Sequence, residues 1–133
     1  MKIRRFEDIE AWQLARQLTF TIYELTKKQR FAADFGLKRQ VQDAAGSSMH
    51  NTAEGFDSEG NGEFVRFLRY AKRSCTEVQS QLYMALDQHY ITDEEFQEAY
   101  DQAARTRAAI RGFIKYLVAY NKGPAGQHLP QPG

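Results

Sequence analysis

The sequence predicts an all-α protein, an antiparallel up-down-up-down four-helix bundle over residues 1–121 followed by a tail at 122–133. Three observations predict it. The three prolines, Pro124, Pro130 and Pro132, all fall near the C-terminal end, so nothing before them is barred from a helix. Glycines from Gly36 to Gly62, and again at Gly112 and Gly123, punctuate the chain into four segments. Each segment carries apolar residues three and four positions apart, and none alternates with period two long enough for a strand. Short links between amphipathic helices favour antiparallel neighbours, hence the bundle.

The first segment repeats at Ala11, Ala15, Leu18, Ile22 and Leu25, with Trp12 beside the stripe. Lys27 and Lys28 close it, where cations suit the helix dipole. The second, from about residue 34 to 54, repeats at Leu37, Val41, Ala44, Ser48 and Thr52. Its small residues let a neighbouring backbone approach, and Gly55 is placed to terminate it. A loop by composition follows, with Asn61 as the cap of the third segment. That segment holds Phe64, Leu68, Ala71, Cys75, Val78, Leu82, Ala85 and His89 in one register. Tyr90-Ile91 is a tight connection, and Thr92-Asp93-Glu94-Glu95 matches a capping box. The fourth segment repeats at Phe96, Ala99, Ala103, Thr106, Ile110, Phe113, Leu117 and Tyr120, and Gly123-Pro124 stops it. The tail has too little apolar content to pack and is expected to be disordered.

Composition bounds the function. At 133 residues, 42% hydrophobic and 26% charged, the chain fits one domain with its own core. A single cysteine, Cys75, permits no internal disulfide, which points to a reducing, cytoplasmic compartment. No apolar run approaches the roughly 18 residues of a membrane span, and the basic N-terminus turns acidic with no apolar segment behind it.

Signals for catalysis are sparse. The histidines His50, His89 and His128 sit in separate segments, and neither His50 nor His89 follows a glutamate at i−3, so no metal site is expected. Cys75 sits in a core register and reads as a small hydrophobe. Gly60-Asn61-Gly62 has no strand before it and no lysine-serine pair after it, so it does not read as a phosphate loop. No cofactor is implied. Two polar pairs border the core seam: Asn51 with Glu54, and Ser74 with Glu77. They read as a structural hydrogen-bonded network, with Glu77 paired to Arg73; the sharper alternative is a ligand-binding or hydrolytic site on Glu54 and Glu77.

Charge layout carries more. Net charge is only +1, from 18 basic and 17 acidic residues, but the charges segregate. In an up-down-up-down bundle, one pole gathers Lys2, Arg4, Arg5, Lys72, Lys122 and two basic stripes, Arg66, Arg69 and Arg73 on the third helix and Arg107, Arg111 and Lys115 on the fourth, against seven anions, Glu7, Asp8, Glu10, Glu54, Asp57, Glu59 and Glu63. The opposite pole carries Asp87, Asp93, Glu94, Glu95, Glu98 and Asp101. The basic stripes suit the phosphate backbone of RNA or DNA; a solvated face, or a head-to-tail subunit contact, is the alternative. Aromatics make up 13% of the chain, and Phe67, Tyr70 and Met84 lie beside a core stripe rather than in it. Such flanks mark a protein interface and predict a homo-oligomer.

The run Phe35-Gly36-Leu37, Gln40, Ala44-Ala45, Ser48 and Asn51-Thr52-Ala53-Glu54-Gly55 is a signature, with Glu63-Phe64, Phe67-Leu68, Ala71, Ser74, Glu77 and Tyr90-Ile91 behind it. Together with Phe6-Glu7-Asp8-Ile9 and Trp12, it resembles the four-helix-bundle proteins first noted as open reading frames within intervening sequences of bacterial 23S rRNA genes. The similarity spans about residues 6–118. Arg73 and His89 stand where that family usually has glycine, and both are expected inside a helix. The resemblance implies a homopentameric ring without enzymatic activity. Related bundles act as accessory variability proteins of diversity-generating retroelements, which engage a reverse transcriptase and nucleic acid; no residue motif of that subfamily is matched here. The resulting expectation is a non-enzymatic oligomer that binds nucleic acid or a reverse-transcriptase-like protein, against a pure protein-interaction scaffold.

Overall fold

The computed structural model describes residues 3–121, so the expectations on Lys2, Lys122 and the tail lie outside the described residues. Among the described residues there are five α-helices and no strand: α1 (Glu10–Leu25), α2 (Gln29–Ala33), α3 (Phe35–Phe56), α4 (Asn61–Asp87) and α5 (Asp93–Asn121). A short 3-10 turn, Phe6–Asp8, precedes α1. Among the described residues no helix is long and apolar enough to cross a membrane.

The four long helices close around one core. The α1 helix packs on α3 and α5, and α4 packs on α3 and α5. The predicted stripes supply that core: Ala15, Leu18, Leu68, Cys75, Leu82, Ala103 and Leu117 are fully buried. Helix α3 repeats its small residues where α1 and α4 come close, and polar atoms use the proximity. Thr19 Oγ1 donates to Ala45 O at 3.0 Å, and Ser74 Oγ to Ser47 Oγ at 3.0 Å. The α5 cap is the predicted box: Glu95 N donates to Thr92 Oγ1 at 3.1 Å, and Thr92 N to Glu95 Oε1 at 2.9 Å.

Five local expectations are corrected. Gly55 does not end its helix; it is buried within α3, which continues to Phe56. It is small because a Cβ there would lie 2.8 Å from Phe64 Cδ1 and 2.9 Å from Phe67 Cβ. The residue before α4 is Gly60, at φ 93°, a left-handed conformation glycine adopts without strain, and Asn61 is the first helical residue rather than the cap. His89 leaves the α4 stripe: it is exposed, at φ 60°, past the end of the helix. There His89 N donates to Leu86 O and Tyr90 N to Ala85 O, both at 2.9 Å, a Schellman termination with histidine at the usual glycine position. Near the end of α5, Ile114 is buried and Phe113 only half-buried, the reverse of the predicted stripe. Finally, α2 had no counterpart in the sequence reading. It is anchored by buried Phe31, whose ring lies 5.5 Å from that of Tyr90.

Candidate nucleic-acid interface

Helices α4 and α5 pack side by side, and their polar flanks converge on one groove. Arg69 and Lys72 enter it from α4, Arg111 and Lys115 from α5. The rest of the lining is Ile114, Val118 and Ala119, so no carboxylate borders the open groove of about 480 Å³. The spacing is helical necessity: positions three or four apart share a face, which places Arg69 above Lys72 and Arg111 above Lys115. None of the four has a carboxylate within ion-pair distance among the described residues.

The other predicted cations sit differently. Arg107 ties the two helices together, donating from Nε to Thr76 Oγ1 at 3.1 Å. Arg66 is paired with Glu63, which holds the guanidinium even more firmly protonated than usual, and it lies over the Phe67 and Tyr70 rings at 5.6 and 5.9 Å. Arg73 lies over the opposite end of the same neighbourhood, 5.1 Å from the Tyr70 ring centre, and makes no ion pair with Glu77. The six predicted residues therefore divide into a phosphate-sized groove, a helix–helix tie and an arginine–aromatic cluster. Lys72 joins the groove although the stripe pattern did not single it out. Its position becomes apparent only once the α5 neighbour of α4 is known.

The polar seam forms in part. Asn51 Nδ2 donates to Ser47 O and Oγ at 2.9 and 2.8 Å, and Ser74 reaches the same Ser47 hydroxyl. Glu77 is exposed and receives only Gln81 Nε2 at 3.5 Å, while Glu54 is exposed outside the network. The two carboxylates are thus not brought together with Asn51 and Ser74. Cys75 is fully buried, and burial pushes its thiol up to about 12, so it is not poised as a thiolate nucleophile. Among the described residues no three His, Cys, Asp or Glu side chains assemble as metal ligands.

The acidic residues of the α4–α5 connection meet the link after α1. Lys28 Nζ contacts Glu95 Oε1 at 2.5 Å, and Tyr90 Oη donates to Asp34 Oδ2 at 3.0 Å. That hydrogen bond is the main reason the Tyr90 hydroxyl is held above its ordinary value.

The fold matches a solved one. The crystal structure at 1.70 Å of a protein of unknown function from the S23 ribosomal protein family of Bacteroides thetaiotaomicron VPI-5482 superposes with a TM-score of 0.74. The alignment covers 79% of this chain and 98% of the other at 18% identity, a likeness of fold. No curated protein matches the chain. The sequence profile of the 23S rRNA-intervening sequence proteins, in contrast, matches residues 7–112, nearly the whole helical body. The chain belongs to the 23S rRNA-intervening sequence protein family.

Proposed function

We propose that this protein is a non-enzymatic accessory factor that grips the phosphate backbone of nucleic acid with the α4–α5 groove. The observation that carries the reading is the convergence of Arg69, Lys72, Arg111 and Lys115 on one groove without a bordering carboxylate. A folded protein gains nothing by crowding four unpaired cations; a bound polyanion releases its counterions and removes the repulsion.

The groove belongs, in this reading, to an antiparallel up-down-up-down bundle. Its support is the order of the contacts: Thr19 with Ala45 and Thr26 with Gln42, Ser47 with Ser74 and Gly55 with Phe64, Phe64 with Phe113 and Tyr83 with Phe96. In every pair of helices one number rises as the other falls. The bundle acts as a cytoplasmic homo-oligomer, for which the family resemblance suggests five subunits.

Fluorescence anisotropy with labelled RNA and DNA tests the groove. Wild type binds at low salt and loses affinity steeply as salt rises, with a slope set by the phosphates contacted. Arg69→Glu combined with Arg111→Glu abolishes binding with helix content unchanged. Equal binding by that variant, or none by wild type at low salt, refutes the reading.

A second reading, a protein-interaction scaffold, has its own observation. Phe20 and Phe35 are 68% and 75% exposed, on α1 and α3 rather than at the groove. Large exposed aromatics suit a partner protein, a second copy of this chain or a reverse-transcriptase-like enzyme. Light scattering showing a strict monomer at micromolar concentration removes the second copy from that choice.

A further inference from the structure

On α4, outside the groove, an exposed tyrosine stands among arginines. Tyr70 is 37% exposed, and its ring has the Arg73 guanidinium at 5.1 Å and that of Arg66 at 5.9 Å. Phe67 meets it edge-on, ring centres 6.3 Å apart and planes at 89°. Phe67 is itself wedged into the α3–α4 contact, where its Cβ abuts Gly55. The tyrosine therefore rests on a side chain tied to the core, and Glu63 steadies Arg66 beside it. The Tyr70 ring and the two guanidinium groups that lie over it, all three on exposed side chains, form an arginine–aromatic stack at the surface.

The cluster is continuous with the phosphate groove. Arg66, Arg69 and Arg73 are three and four residues apart and so share the outer face of α4, with Arg69 reaching over into the groove. Tyr70 lies within one helix width, about 10 Å, of that groove, a span that a nucleotide whose phosphate sits on Arg69 or Lys72 can bridge with its base. Duplex bases are stacked on one another and cannot reach an outlying ring; unpaired bases can, and stacking on aromatics or arginine planes is how they are commonly held.

We propose that the Arg66–Tyr70–Arg73 cluster is a stacking site for unpaired nucleobases, which makes single-stranded nucleic acid the preferred ligand of the groove. The proposal rests on the groove reading above, and adds the ligand's strandedness to it. Because every base has a π-face, the site is tolerant of sequence. Single-stranded RNA and DNA both carry the required chemistry.

Anisotropy titrations of the full chain decide it, using an RNA and a DNA strand of one sequence, their duplexes, and the same strands carrying abasic sites. Tyr70→Ala is expected to weaken both intact single strands by roughly five- to hundredfold, the range for losing one stacked base. Duplexes and abasic strands should be bound as by wild type, and Tyr70→Trp should restore the loss. A loss confined to RNA supports the site and assigns it to RNA. Tyr70→Leu, which keeps bulk without a flat ring, serves if the alanine variant misfolds. Unchanged affinity in Tyr70→Ala, or an equal loss on every ligand, overturns the stacking site while Arg69→Glu/Arg111→Glu still reports on the groove. Wild type binding no nucleic acid overturns both.

Discussion

Replacing Gly55 by alanine should destabilise the protein, although alanine is the better helix former. The β-carbon would stand 2.8 Å from Phe64 Cδ1 and 2.9 Å from Phe67 Cβ. Carbon atoms prefer about 3.5–4.0 Å, so roughly 0.7 Å must be recovered at each contact. The Phe64 ring can turn. The Phe67 Cβ cannot, being bonded to the α4 backbone, so α4 itself has to retreat from α3. Overpacking of this kind costs about 1–3 kcal/mol, against about 0.5–1 kcal/mol regained from the lower backbone entropy of alanine. The two ranges leave a net loss of about 0–2.5 kcal/mol, centred near 1 kcal/mol. Gly46, on the same helix, is the control: its added Cβ would meet only the His50 ring, at an ordinary 3.6 Å from Nε2 and 3.8 Å from Cδ2. Gly46→Ala should therefore stabilise by about 0.5–1 kcal/mol. Urea unfolding followed by circular dichroism measures both, at one fixed protomer concentration because assembly would couple to stability. If Gly55→Ala proves as stable as wild type, the close α3–α4 approach is not what demands glycine, and the packing argument fails.

Two further predictions concern the other end of α4. His89 sits at φ 60°, where a side chain costs about 1–2 kcal/mol, so His89→Gly should raise stability by about 1 kcal/mol after the entropy of glycine is deducted, as read by the unfolding midpoint. At Glu95, burial alone would raise the carboxyl, but the hydrogen bonds and charge of Lys28 and the Thr92 amide outweigh it and hold it below the ordinary 4.5. A depressed carboxylate contributes stability above its unfolded value and loses it as pH falls through the folded one. Thermal melts should thus decline below about pH 4.5 less steeply in Glu95→Gln than in wild type.

What the sequence disclosed about the fold was its periodicity, and the misreadings follow from where periodicity stops being informative. The predicted α5 stripe follows a strict 3.5-residue repeat, whereas a straight helix turns every 3.6 and drifts about 20° per heptad. By the end of α5 the drift has rotated Ile114 inward and left Phe113 half-exposed against Phe64, at 5.3 Å. The same repeat carries the predicted α4 stripe to His89, past a helix end that no proline marks. Helix α2 is five residues long, too short to show a period, and is held by the single buried ring of Phe31. Gly55 is the deeper case. A glycine near the end of a helical pattern looks like a terminator, and only the position of Phe67 on another helix reveals close packing. The candidate site divides in the same manner. Arg107, Arg111 and Lys115 align by their own spacing, but which of Arg66, Arg69, Lys72 and Arg73 faces them depends on how α4 and α5 pack.

Whether the groove charges are functional or a solvated surface turns on how this protein treats its other cations. Arg5 lies with Asp8, Lys27 with Glu24, Lys28 with Glu95 and Arg66 with Glu63, while most of the other described cations make no ion pair. Net charge of +1 leaves ample carboxylates along the chain, yet among the described residues none lines the groove, and three of them cluster instead at the start of α5, in Asp93, Glu94 and Glu95. A solvated face would show its cations interspersed with acids at i±3 or i±4, as Glu63 precedes Arg66. At the groove, the positions that would do so hold apolar Ile114 and Val118. The groove is open to solvent, so water and salt screen the repulsion among its cations, and a polyanion lying along it meets all four at once. What sets these four apart from other cations without an ion pair, such as Lys38, Arg39 and Arg105, is their convergence on one groove whose remaining lining is apolar.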